Sequence, residues 1–150
     1  MVTDAITMPT LKKCITLSSQ VAEIDGAVSE LVDFVVGLKR IENFTLSIAL
    51  TEAITNAIVH GKEKDPAKRV FAQALIEPER VVLQITDEGR GFDYQKLADP
   101  TKKENLLKQS GRGIFFVRYF MDEVRFNQVG NEITMVKYIE CKKDFAGDIT

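Results

Sequence analysis

Three short stretches in a fixed order limit what this chain can fold into more than any other feature. Residues Glu52 to Gly61 read E-A-I-T-N-A-I-V-H-G, Asp87 to Phe92 read D-E-G-R-G-F, and Ser110 to Ile114 read S-G-R-G-I. Each is commonplace alone, so the weight lies in their order and spacing. Glu52 and Asn56 stand at i and i+4 on a helical pattern and so share one face, within reach of a common ligand. His60 extends that stripe by another turn. Leu46, Leu50, Ala53, Ile54, Ala57 and Ile58 fill the adjoining arc, the apolar face such a helix lays on a sheet. The polar stripe therefore borders the core, and the fold has to bring it near two glycine-bearing loops.

The rest of the chain reads as α and β elements without repeats. Residues 10 to 17 predict a first strand. Val21, Ile24, Val28, Leu31, Val35 and Leu38 recur every three or four residues and predict a long amphipathic helix ending near Arg40. A second helix is predicted from about Glu42 to His60, stopping at Gly61. Val70 to Ile76 and Arg80 to Thr86 flank Glu77, Pro78 and Glu79, which suits an antiparallel hairpin leading to Asp87. Residues 93 to 110 hold Pro100 and four lysines and lack sustained periodicity, so a short helical piece and a lid over about 94 to 110 are expected. The apolar run after Gly113 predicts a buried helix opening at the glycines. Val124 to Val129 and Glu132 to Cys141 predict two last strands around a turn at Gly130 and Asn131. The final nine residues are expected to fray.

Composition narrows the function classes. At 150 residues and 45% apolar content, the chain has the size of one domain and can bury a core of its own. Twenty basic and 22 acidic residues give a formal charge of -2 without a basic tract, so direct nucleic-acid binding is not expected. No apolar run approaches the roughly 20 residues of a membrane span. The N-terminus carries Asp4 and no cationic segment ahead of a hydrophobic one, and a soluble cytoplasmic protein is expected. Cys14 and Cys141 lack metal-ligand spacing and read as small thiols buried in alternating strands.

This order of motifs resembles the GHKL ATPase superfamily, the Bergerat-fold group of histidine-kinase ATPase domains, gyrase B, the ninety-kilodalton chaperone and MutL. Within it, the run from Ser110 to Val124, S-G-R-G-I-F-F-V-R-Y-F-M-D-E-V, looks most like the small anti-sigma factor serine-protein kinases of bacteria. The likeness spans about residues 10 to 141. It implies an α+β fold, a two-layer α/β sandwich of the Bergerat (histidine kinase-like ATPase) type, whose mixed, mainly antiparallel sheet carries helices on one face.

It also implies roles for residues. Asn56 would offer its amide oxygen to Mg²⁺, a hard cation that accepts neutral oxygen donors beside phosphate oxygens and water. Glu52 would orient or deprotonate the attacking nucleophile. Asp87 would accept a hydrogen bond from the amino group of adenine, where guanine carries an oxygen. Gly89 and Gly91 would let the backbone approach the base closely. Ser110, Gly111, Arg112 and Gly113 lead into a helix, so that free N–H groups and the positive end of its dipole would face the phosphates of ATP. Thr134, taken to face the pocket, resembles the threonine that supports the adenine-binding aspartate; a strand threonine chosen for its β-propensity is the alternative.

The implied activity is transfer of phosphate from Mg·ATP to a serine of a STAS-domain anti-sigma antagonist, by a protein that also binds a sigma factor. A homodimer is implied as well. Gln109 stands where several of these kinases carry an arginine that reaches the terminal phosphate, and Arg112 or Lys108 could supply that charge. The alternative is a nucleotide-dependent binding module that sequesters a partner without turnover.

Overall fold

The computed structural model describes residues 10–18, 20–38, 41–61, 68–88 and 116–139, without the side chains of His60 and Gly61. Five strands form one sheet: β1 (Leu11–Leu17), β2 (Val70–Glu77), β3 (Arg80–Asp87), β4 (Glu123–Phe126) and β5 (Glu132–Tyr138), in the order β1-β2-β3-β5-β4. All four pairings are antiparallel, so the sheet lacks the parallel component expected of a mixed one among the described strands. The reason is local: β2–β3 and β4–β5 are hairpins, and β5 rather than β4 docks beside β3. The β2–β3 hairpin closes where predicted, with Glu77 opposite Arg80 across the Pro78–Glu79 turn and their side chains ion-paired.

Two helices cover one face. A 3₁₀ turn at Val21–Glu23 leads into α1 (Ile24–Val36), and α2 (Asn43–Asn56) continues into a π-helical turn over Ala57–Gly61. The apolar arc of α2 is buried as read: Leu46, Leu50 and Ile54 have no exposed surface, and Ala53, Ala57 and Ile58 are buried beside them. They meet the inward side of the sheet, where Val70, Ala72, Ala74, Leu83, Ile85, Ile133 and Met135 alternate with outward residues. The α1 stripe is buried from Ile24 to Val35, but its ends are not. Val21 lies in the 3₁₀ turn, and Leu38 follows the helix end at Val36, where Gly37 and Leu38 donate back to the Asp33 and Val35 carbonyls.

Three further expectations shift. The helical segment described at residues 116–120 buries only Val117 rather than being a buried helix, and β4 ends at Phe126 rather than near Val129 because Asn127 turns the chain. Cys14 is exposed rather than buried: it sits on the outward side of β1, where its Sγ donates to the Gln73 side chain at 3.2 Å. The lid range, Cys141 and the last nine residues lie outside the described residues. Among the described residues, no helix is long and apolar enough to cross a membrane.

Candidate functional site

The end of α2, the end of β3 and the β4–β5 turn converge on one pocket. Its apolar walls come from Ala53, Ala57, Ile85, Phe126 and Ile133, and its polar side chains from Asn56, Asp87 and Asn131, with Gly130 and Glu132 completing the lining. Apolar walls with few polar groups suit an apolar-faced ligand whose edge is read by hydrogen bonds.

Asn56 reaches this pocket because it is the last α-helical residue of α2. The next amide, Ala57 N–H, is shared between the carbonyls of Ala53 and Ile54, and the winding then widens into the π turn. Such turns interrupt the i+4 stripe and recur at functional sites. Glu52 lies one α-turn earlier on the same helix face and is half-buried. It does not line the pocket among the described residues, and burial raises its pKa above the ordinary carboxylate value.

Asp87 is the last residue of β3 and only 5% exposed. A carboxylate accepts hydrogen bonds and donates none when ionised, so it favours an N–H edge over a carbonyl edge. Its backbone is held from two sides. Asp87 N–H donates to the Asn131 carbonyl at 2.9 Å, and the Asn131 side-chain amide donates to the Asp87 carbonyl at 2.9 Å. The following residue is clamped to the start of β2. Glu88 N–H donates to the Arg69 carbonyl, and the Glu88 carboxylate accepts from the Arg69 backbone at 2.8 Å and its guanidinium at 3.1 Å. These hydrogen bonds from Arg69 lower the Glu88 pKa.

Thr134 is not where the reading placed it. Strand side chains alternate, and on β5 the inward residues are Ile133 and Met135, both buried. Thr134 is therefore on the outward side, where its Oγ1 accepts from Gln84 at 3.2 Å. Gln84 also donates to Glu132, and Thr86 donates to the same carboxylate at 2.9 Å. This polar ladder is on the opposite side of the sheet from the helices. The pocket-facing position beside Ile85 is held by Ile133 instead.

Of the remaining expected site residues, Gly89, Gly91, Ser110, Gly111, Arg112 and Gly113 lie outside the described residues. The structure thus brings Asn56 and Asp87 to one pocket, places Glu52 beside it on α2, and leaves Thr134 on the other face. Sequence reasoning missed Asn131, Asn127 and the Arg69–Glu88 clamp. The signal for the first two was available in the turn, since asparagines at both ends of the run N-Q-V-G-N mark a place where side chains bond to nearby backbone.

Against this geometry, the histidine kinase-like ATPase domain family matches residues 16–137. Among known proteins, the anti-sigma F factor of Anoxybacillus flavithermus is 34% identical over 130 residues, covering 84% of this chain and 80% of that protein. The anti-sigma F factor of Geobacillus sp. is 34% identical over 136 residues, covering 86% and 84%. The serine-protein kinase RsbW of Staphylococcus aureus is 36% identical over 101 residues, covering 62% of this chain and 64% of that protein.

Proposed function

Because the chain belongs to the histidine kinase-like ATPase domain family, with relatives named anti-sigma factors and serine kinases, we propose that it is an ATP-dependent protein serine kinase that also binds a sigma factor. The observation that carries this reading is the meeting of Asn56, from α2, with the nearly buried Asp87, from β3, in one pocket of apolar walls.

The residues present fit Mg·ATP as substrate. Adenine lies between Ala53, Ala57, Ile85 and Ile133, and its amino group donates to the Asp87 carboxylate. A purine with an oxygen at that position meets an acceptor with an acceptor and is rejected. Asn56, on the helix side of the pocket, would offer its amide oxygen to the metal carried by the phosphates. Mg²⁺, when bound, neutralises charge on the phosphoryl group. Ser110 to Gly113 hold the phosphates through backbone N–H groups, and Gly89 and Gly91 shape the approach to the base.

Glu52 orients the serine hydroxyl of the acceptor protein or takes its proton. The hydroxyl oxygen then attacks the terminal phosphorus in line, and the bond to the departing ADP breaks. Burial gives Glu52 a more basic carboxylate, and the nearby metal charge opposes that shift when the nucleotide is present. The acceptor is a serine on a STAS-type antagonist, and its phosphorylation leaves the sigma factor bound to the kinase.

The test is capture of the tagged chain's partners from its native lysate with Mg·ATP or Mg·ADP, followed by mass spectrometry. A sigma factor and a STAS protein that gains phosphoserine only with ATP are the expected result. A sigma factor retained in a nucleotide-dependent way, with no phosphate transferred to any partner, would replace the kinase reading with the non-catalytic switch.

A further inference from the structure

We propose that Asn131 is the residue that positions Asp87 for nucleobase discrimination, with Asn127 holding Asn131 in turn. This rests on the reading of Asp87 as the adenine acceptor. The regular β3–β5 register runs from Arg80↔Tyr138 to Thr86↔Glu132, and Asp87 lies one residue beyond it. There Asn131 takes over: its carbonyl accepts from Asp87 N–H and its side chain donates to the Asp87 carbonyl. One residue thus grips both polar groups of the Asp87 backbone. That fixes the two torsions that aim its Cβ, and so the point from which the carboxylate enters the pocket.

Asn131 is itself held. Asn127 donates its side-chain amide to Asn131 Oδ1. The Asn127 Oδ1 accepts from the amides on both sides of Asn131, Gly130 N–H at 2.8 Å and Glu132 N–H at 3.2 Å. Gly130 has φ 82°, a backbone open to glycine with little strain, which lets the turn bring Asn131 back toward β3. The backbone amides of the turn are held by Asn127 Oδ1, whereas the Asn131 side-chain amide is spent on the other strand. Gly130 and Asn131 both line the pocket. The hydroxyl expected to support Asp87 from β5 faces the other side of the sheet, so this asparagine supplies the polar support that β5 gives to Asp87.

The test measures binding of ATP and of purine riboside triphosphate, which lacks the amino group, to the full chain with Mg²⁺. Asn131→Ala is compared with wild type. Wild type is expected to prefer ATP, and the variant to lose about ten-fold of that preference, the scale of one buried hydrogen bond. The loss should come from weaker ATP binding, with the analogue held within about two-fold. A turn that merely loosens the pocket would weaken both ligands alike, and that outcome overturns the proposal, as does an unchanged preference. If Asn131→Ala does not fold, Asn131→Asp serves: it is isosteric and keeps the acceptor for Asn127, but loses the donor to Asp87. Its added charge acts on both triphosphates alike, so for this variant the ratio of the two affinities alone is the readout, and an unchanged ratio overturns the proposal. A wild type without preference for ATP overturns the reading of Asp87 itself, and the proposal with it. The two failures are therefore distinguishable.

Discussion

Asp87 and Asn131 exchange two hydrogen bonds of 2.9 Å, one from backbone to backbone and one from the Asn131 side chain to the Asp87 carbonyl. The exchange joins the end of β3 to the β4–β5 turn, two segments 44 residues apart in the chain. A strand end held in this way cannot shift its backbone, or the Cα–Cβ direction from which the carboxylate projects, without breaking the exchange. That anchoring is in place before any ligand arrives, and it lowers the ordering cost of binding.

Asp87→Ala is expected to weaken ATP binding by at least about 100-fold, because the amino group of the base then meets a wall without an acceptor. Asp87→Asn keeps the shape and can offer an N–H, so it should narrow the preference for ATP over GTP. Competition binding with the two nucleotides checks both. An Asp87→Ala protein with wild-type ATP affinity would remove Asp87 from base recognition.

Asn56→Ala should weaken Mg·ATP binding by about ten-fold or more, equivalent to at least about 1.4 kcal/mol. The loss should also depend on the metal. Chelating Mg²⁺ is expected to weaken ATP binding by wild type and to change the variant much less, since the protein's amide contact to the metal is already gone. Titrations with and without chelator decide this; equal sensitivity in both proteins would detach Asn56 from the metal.

Glu52→Gln is expected to separate activity from stability. As a general base or orienting group, Glu52 should contribute about 10²–10⁴-fold to transfer, with ATP binding retained. Its pKa is raised in the folded chain by burial, so the folded state disfavours the charged form. The group's contribution to stability is intact below its unfolded pKa and is lost as pH rises through the folded value. Glutamine has no charge to bury. The variant should therefore melt slightly above wild type at neutral pH, and the difference should vanish below about pH 4. Melting curves across that range and single-turnover transfer assays give the two readouts. Full transfer by Glu52→Gln would exclude the proposed role.

Leu83→Ala and Leu50→Ala truncate side chains with no exposed surface, on the sheet and helix sides of the core. Each is expected to cost about 2–5 kcal/mol, from lost burial and the cavity left between the layers. Urea unfolding measures this directly. Thr134→Val, by contrast, should leave nucleotide affinity within about two-fold, because its hydroxyl bonds to Gln84 on the outward side.

Helix and strand identities were written in the period of apolar residues: Leu46, Leu50, Ala53, Ile54, Ala57 and Ile58 marked the buried arc of α2, and all are buried. The hairpin at Pro78 was legible for the same local reason, since turn residues stood between two β-rich runs. Candidate residues at fixed spacing on one element, Glu52 and Asn56, could also be seen, because a helix fixes i and i+4 on one face. Their relation to Asp87 could not be derived from spacing, because it depends on which strand docks beside which. Thr134 shows the limit most clearly. A strand's alternation is certain, but which parity faces the helices is decided by cross-strand register, and a shift of one residue exchanges the two faces. Asn131 shows it from the other side. Its turn was visible in the chain, but its bond to Asp87 exists only because β5 packs next to β3. The sequence by itself determined the periodic elements and the polar groups they carry, through interactions among near neighbours. Only tertiary structure decided which of those groups share the pocket, because strand pairing joins residues that no local rule connects.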